Sequence, residues 1–384
     1  MNRHCLKIRL YPTRTQAREL EAALETCRLV YNSLVLDRKY QYDVDGQSVG
    51  YFQQKAYLPV WKKNHPELKE VYSQVLQDVA HRVHLAFDAF FDRVKKGETP
   101  GFPRFKGTGQ YDSLTYTQGK NFKVGDSTLE LPKFGKVKAK IHRRPWGILK
   151  TCTLHRVNGK WFACICQEIE PELLPPSDEA VGIDVGLKTF AALSNGEGDN
   201  FFIENPRFFR RDEKALAKAH RKLAKQIKSA SGQKRGSKAR KKARKVVSRI
   251  HERIRNRRHD FCHQNARRLV NRFGVIAAEK LNVKGMVTPI NPKNHCLAKS
   301  IADVAWSQFR SVLTSKAENA GRKVALVDPA FTTQDCSGCG FRAKKKLSER
   351  WHLCPMCGLS LDRDTNAAVN ISALGQKSLA VATA

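Results

Sequence analysis

Long apolar runs are missing from this chain. No stretch of its 384 residues approaches the roughly 20 consecutive apolar residues of a spanning helix, and Met1 to Leu10 lacks the apolar run of a secretory signal. A membrane partner is therefore not expected, and the reading is a cytosolic, cytoplasmic or nucleoid-associated chain. Acidic residues are scarce: 36 Asp and Glu stand against 70 Lys and Arg, for a formal charge of +34. Such an excess exceeds what solubility needs and calls for a polyanion. Nucleic acid leads, because each neutralised phosphate releases counterions and many contacts sum to salt-sensitive binding. An anionic membrane surface is the lesser alternative. A disulfide framework is also missing. Of 11 cysteines, seven (Cys5, Cys27, Cys152, Cys164, Cys166, Cys262 and Cys296) are scattered, and read as reduced core residues. Cys164 and Cys166 share a strand face and should merely pack.

What is present is enough to fold. Apolar residues make up 41% and aromatics 9% of a chain long enough for about two to three domains. Leu6, Ile8 and Leu10 alternate with bases, giving an opening strand that Pro12 ends. Thr13 with Gln16 forms a capping-box pattern before the helical series Leu20, Leu24, Cys27, Tyr31 and Leu34. Val71, Val75, Val79, Val83 and Phe87 continue a helical lobe to about Lys96. Gly101 to Lys106 interleaves aromatics with bases, suited either to stacking on nucleobases or to packing as a connector. From Ser113 to Ile169 short alternating segments and the Asn158-Gly159 hairpin signal indicate a small antiparallel barrel, which the opening strand could join. The helical lobe would then be an insertion.

After a Pro-rich acidic linker at Pro171 to Glu179, Ala180 to Gly186 is an apolar strand carrying one carboxylate, Asp184. An unpaired carboxylate in such a strand costs several kcal/mol, roughly, unless compensated, so Asp184 is a candidate site residue rather than a turn cap. Phe190 to Leu193 and Phe201 to Ile203 are the next strands. Between Arg207 and Arg258 lie 22 Lys or Arg and three acids, on two basic helices with an apolar stripe at Leu216, Leu223, Ile227, Val246, Ile250 and Ile254. Ser231-Gly232 and Gly236-Ser237 mark a flexible turn between them. Val275 to Glu279 repeats the apolar strand ending in a carboxylate. Val283 to Leu297 reads as a mobile loop, Ser300 with Asp303 as the cap of a helix running to Gly321, and Val324 to Asp328 as a strand.

Cys336, Cys339, Cys354 and Cys357 form two Cys-x2-Cys knuckles. Two such knuckles supply all four ligands of a closed structural zinc site, leaving none for substrate. The catalytic candidates are therefore Asp184, Glu279 and Asp364, the last opening a short helix. Three strands, helices, strand, helix, strand and helix is the order of an RNase H-like fold. There such carboxylates meet at a sheet edge and hold two Mg2+ ions for hydrolysis to a 5' phosphate and a 3' hydroxyl.

Gly182-Ile183-Asp184-Val185-Gly186, Glu279-Lys280-Leu281, Thr332-Thr333-Gln334-x-Cys336-x2-Cys339-Gly340, Cys354-x2-Cys357-Gly358 and Asp362-Arg363-Asp364-x-Asn366-Ala367-Ala368 together resemble the transposon-encoded TnpB family, related to type V CRISPR effectors. Leu10-Tyr11-Pro12, Val30-Tyr31-Asn32 and Gly101-Phe102-Pro103-Arg104-Phe105 extend the likeness over nearly the whole chain. The resemblance implies a multidomain α+β protein. Residues 1–12 and 101–175 form a β-barrel wedge domain, and 13–100 a helical recognition domain. Residues 180–330 and 362–374 form a RuvC-like nuclease, 331–361 the zinc ribbon and 375–384 a disordered tail. It implies a guide RNA from the transposon end, held by one protein chain per RNA, and cleavage of double-stranded target DNA beside a short motif. Asp184, Glu279 and Asp364 become the Mg2+ ligands, with Asp362 set aside. Tyr51, Gln77, Thr117 and Gln118 match motif-reading positions, where amides and hydroxyls read base edges. Rival readings are a non-cleaving RNA-guided DNA-binding protein or a transposition accessory protein, and a transposase that joins DNA ends.

Overall fold

The computed structural model describes residues 2–228, 237–287, 297–346 and 348–383. The chain divides into two compact units, residues 1–170 and 171–384. In the first, β1 (Asn2–Tyr11) is followed by α1 (Arg14–Asp45), α2 (Tyr51–Asn64) and α3 (Ser73–Lys95). The strands β2 (Ser113–Tyr116), β3 (Lys123–Val124), β4 (Thr128–Leu131), β5 (Gly135–Lys140), β6 (Ile148–Val157) and β7 (Lys160–Ile169) come next. The seven strands form one sheet in the order β2-β6-β7-β1-β5-β4-β3, every pair antiparallel. The first strand thus sits inside the sheet, and the helices are an insertion between it and β2. Thr13 and Gln16 form the expected capping box. The Asn158-Gly159 turn joins β6 to β7. Leu20, Leu24, Val79 and Val83 share one apolar core with Leu10, Leu129 and Ile165.

The connector after α3 packs. Phe102 sets its edge against Phe87 and Phe90 at 5.5 and 5.4 Å. Asn32 grips Lys106 through both its backbone N–H and its carbonyl, which ties α1 to the end of this connector. One expectation fails in this unit. Cys5 and Cys166 are not reduced: they face each other across β1 and β7, Cα atoms 4.2 Å apart, and form a disulfide.

The second unit holds β8 (Ala180–Val185), β9 (Thr189–Ser194) and β10 (Asn200–Glu204), then α4 (Phe208–Lys228) and α5 (Lys238–Arg272). It continues with β11 (Val275–Glu279), α6 (Val283–Val287), α7 (Ala298–Val304), α8 (Trp306–Asn319), β12 (Lys323–Val327), β13 (Trp351–Leu353), β14 (Ser360–Asp362) and α9 (Arg363–Thr383). A five-stranded sheet runs β10-β9-β8-β11-β12, with β8, β11 and β12 parallel and the other pairs antiparallel. Helices α5 and α8 pack on one face through Leu269, Phe309 and Leu313 against Ile183 and Ile276. On the other face α9 lies against Ala277, Ala325 and Val327 through Ile371.

Several local expectations need correction. The apolar stripe between α4 and α5 uses Leu216, Leu223, Ile250 and Ile254 as expected, but Val247 takes the core position, while Val246 is 48% exposed. The side chain of Ile227 and the Ser231-Gly232 turn with Gly236 lie outside the described residues. The start of the expected Val283 to Leu297 loop is helical, as α6; residues 288–296 lie outside the described residues. Ser300 and Asp303 do not cap their own helix: α7 begins at Ala298, and the path breaks at Ala305, whose φ is 61°. The expected tail at 375–384 instead continues α9 to Thr383, with Leu379 packed on the sheet. Gly375 permits this close seat, because a Cβ there would collide with Ala277.

Candidate active site

Strand register brings the first two carboxylates together. Ile183 pairs with Ala278 across the parallel strands β8 and β11, so one residue further Asp184 and Glu279 sit side by side at the sheet edge. Side chains two apart on a strand share a face, and a Cβ on Gly182 would run into the carbonyl of Ala368 on α9. The face toward which Asp184 points is thus the one α9 covers, and Asp364 stands one helical turn before Ala368. All three carboxylates named from the sequence meet.

Their electrostatics are unbalanced. Burial, followed by the neighbouring Glu279 and Asp364 carboxylates, pushes Asp184 well above the ordinary carboxylate range, with Arg363 opposing. Burial also raises Glu279, and a hydrogen bond from the Thr332 hydroxyl to Oε1, 2.7 Å, pulls it partly back. Asp364 accepts from Arg363 at 3.1 Å and lies 3.7 Å from Arg350. Three carboxylates at one edge, one of them buried and pushed up by the other two, supply hard-oxygen donors of the kind a divalent cation of the Mg2+ class takes. Asp362 is occupied differently, since its Oδ1 accepts from the N–H groups of Asp364 and Thr365 at 2.9 and 3.2 Å. It is the N-cap of α9.

The four cysteines also converge. Their ligand atoms all lie within 4.8 Å of one another, with Cys336 to Cys357 at 3.6 Å and Cys339 to Cys354 at 3.5 Å. Tetrahedral zinc with ~2.3 Å bonds would set sulfurs about 3.8 Å apart, so the set fits one zinc. Each knuckle closes on a glycine in the left-handed region: Gly340 and Gly358, at φ 76° and 72°, donate to the carbonyls of Cys336 and Cys354. The N–H groups of Cys357 and Met356 hold the Cys354 thiol down to about 6 against burial.

Ribbon and carboxylates are stitched together by side chains to which the sequence assigned no role. Asn366 donates to the Asp335 carbonyl and accepts from Ser337 N–H. Asn370 donates to the carbonyls of Thr332 and Asp335. Thr332 then reaches Glu279. The asparagine spacing on α9 was the available signal, since two amides four residues apart share a helix face.

The four positions matched to motif reading lie in the first unit. Tyr51 opens α2 and stacks on His84 at 5.9 Å, edge-on to His81 at 5.7 Å. Gln77 lies one turn before His81 on α3. Thr117 and Gln118 line a cleft of about 640 Å³ with Lys120 and Lys150. The Asn121 N–H donates to the Gln118 carbonyl, and its side-chain amide donates to Gln74. This ties the loop to α3 near Gln77. Direct contacts among the four are not seen in the described residues.

Residues 164–289 match the family described as "Probable transposase" (OrfB of IS605), 306–371 match "Cas12f1-like, TNB domain", and 1–47 match "Helix-turn-helix domain". Over that last span the fold is one strand and one long helix, β1 and α1. A Streptomyces pristinaespiralis protein named "Putative RNA-guided DNA endonuclease" is 35% identical over 97% of this chain and 89% of its own. "Putative RNA-guided DNA endonuclease InsQ" of Escherichia coli is 30% identical over 97% and 92%. Among solved structures, one described as a Cas12f1-sgRNA-target DNA complex aligns with TM-score 0.60 at 15% identity, covering 94% of this chain and 83% of that one. At that identity the likeness concerns fold.

Proposed function

The chain belongs to the TnpB family, the OrfB proteins of IS605-type transposons, and we propose that it is an RNA-guided DNA endonuclease with one RuvC-like, RNase H-type hydrolytic site. The observation that carries this reading is the meeting of Asp184, Glu279 and Asp364 at one sheet edge. The 3-2-1-4-5 strand order of their sheet agrees with it.

Asp184, Glu279 and Asp364 would hold Mg2+, which when bound activates water and steadies the leaving 3' oxygen. The chain's own groups prepare that site. Thr332 engages one oxygen of Glu279 and leaves the other unclaimed by the hydroxyl. Asp362 fixes the start of α9 and hence Asp364, while Arg363 and Arg350 restrain the Asp364 carboxylate from the side. Cys336, Cys339, Cys354 and Cys357 would hold a zinc ion that fixes the ribbon carrying Thr332 and Arg350. The basic helices α4 and α5 supply phosphate contacts for nucleic acid. In the first unit, the sheet and its helical insertion serve as wedge and recognition domains for a guide RNA made from the transposon end, one chain per RNA. Tyr51, Gln77, Thr117 and Gln118 lie near the adjacent DNA motif in this reading.

The test is cleavage of a matched double-stranded target library with randomised flanks by the protein carrying its own RNA, with Mg2+. Cuts leaving 5' phosphates beside one preferred motif are expected. Asp184→Ala should abolish cutting and keep target binding. Absence of any cleavage by the unaltered protein would remove the enzyme reading and leave a binding protein.

A further inference from the structure

Beside the carboxylates lies a cleft of about 850 Å³ lined by the acids Asp184, Asp303 and Asp364 and by five cations, among them Lys188, Arg207 and Arg210. Arg210 is committed, paired with Glu213 at 2.9 Å. Lys188 and the Arg207 guanidinium have no side-chain partner among the described residues. The backbone at Arg207 is unusual as well, with φ 47°, a conformation that L side chains rarely adopt.

The surrounding turn holds it there. Asn205 donates its amide to the Leu187 carbonyl at 2.7 Å and accepts from the Arg207 N–H at 3.0 Å. Two residues on, the Phe209 N–H is received by both oxygens of Asp303, at 2.9 and 3.0 Å. Asp303 is itself buried and clamped by Arg258 at 2.7 Å. A buried ion pair thus anchors one side of the turn and Asn205 the other, so Arg207 is built into its strained position. Its side chain contributes nothing to these internal bonds, which leaves a ligand as the use for its charge.

We propose that Lys188 and Arg207 form a phosphodiester subsite for the DNA strand entering the carboxylate site, gripping phosphates next to the one to be cut. The proposal deepens the nuclease reading and rests on it. Lys188 and Arg207 put uncommitted positive charge on the lining of the cleft that also holds Asp184 and Asp364, which suits a polyanion passing the carboxylates. The turn from Asn205 to Phe209 sets where the strand lies. Arg207 is therefore a positioning residue for the scissile phosphate.

The experiment uses the full chain with its co-purified RNA in an Asp184→Ala background, so that binding is read without cutting. Affinity for a short oligothymidylate is measured over a range of salt. Arg207→Ala and Lys188→Ala should each weaken it about tenfold, and should each lower the slope of log K against log salt by about 0.7, the value for one lost single-strand phosphate contact. Arg207→Gly relieves the backbone strain yet lacks the guanidinium, so it should lose as much as Arg207→Ala. If Arg207→Gly binds like the parent, the effect of alanine is a distorted turn and the subsite falls. Unchanged affinity and slope in both Arg207→Ala and Lys188→Ala also overturn it. Binding losses with the expected slopes support the subsite even if the unaltered protein cuts nothing, so the two readings fail separately.

Discussion

Replacing Thr332 by valine tests how the ribbon serves the carboxylates. Thr332 is 2% exposed, and valine matches its shape, so the packing survives while the hydroxyl disappears. What goes is the 2.7 Å hydrogen bond to Glu279 Oε1. A bond to a charged acceptor is worth roughly 1.5 to 3 kcal/mol. Glu279 is not fully enclosed, so the lower end applies: about 1.5 kcal/mol, or roughly tenfold in the Mg2+ concentration for half-maximal cleavage. Thr332→Ser keeps the hydroxyl and should restore most of that loss. Cleavage rate is titrated against Mg2+ for all three proteins, and Mn2+ binding is measured by calorimetry without DNA. A Thr332→Val protein with the parent's Mg2+ dependence and Mn2+ affinity would refute the argument that this contact prepares Glu279.

Gly182→Ala should cost about 3 kcal/mol, because the new Cβ meets the Ala368 backbone rather than a side chain that can swing away; calorimetry should show a Tm lower by roughly 10 °C, and an unchanged Tm would mean that α9 does not sit against β8. Zinc should be found at one per chain by elemental analysis, in keeping with the four converging sulfurs. Chelation or Cys336→Ser should open the ribbon at 331–361 to protease, and continued protection would count against a structural ion. Burial, then His259 and Lys316, hold the His263 imidazole down to about 4 against an ordinary 6.5. A histidine kept neutral by folding but free to charge when unfolded contributes its full stability above about 6.5 and loses it as pH falls toward about 4. The ring is half exposed, so the effect is discounted to about 1 kcal/mol; His263→Gln should flatten the acid limb of Tm against pH, and an unaltered limb would refute it.

Two of the carboxylates were legible because they break a local rule: Asp184 and Glu279 are acids ending apolar strands, and such misfits persist only where something compensates them, whereas Asp364 was picked out by the motif that opens α9. The cysteine knuckles were legible from spacing alone, and strand phase from alternation. What escaped depends on partners distant in the chain. Cys5 meets Cys166 across a separation of 161 residues, a register that no local pattern specifies. Asp303 looked like part of its own helix's cap but anchors Phe209 and Arg258, both on elements far upstream. The stripe of α5 was misphased by one residue because so few apolar positions interrupt its bases that Val246 and Val247 fit equally well. The segment from Gly375 looked like a tail without a core, whereas the missing side chain of Gly375 is what lets α9 lie flush on Ala277 and Ala325.

The seat of α9 on β8 also orders events during synthesis. A ribosome releases Asp184 180 residues before Asp364. At about 5 to 20 residues per second, that gap lasts roughly 10 to 40 s. The groove that Gly182 leaves for Ala368 is empty until α9 emerges and docks. A chain still on the ribosome cannot yet assemble the three carboxylates, so on the proposed nuclease reading cutting competence is a late act of folding.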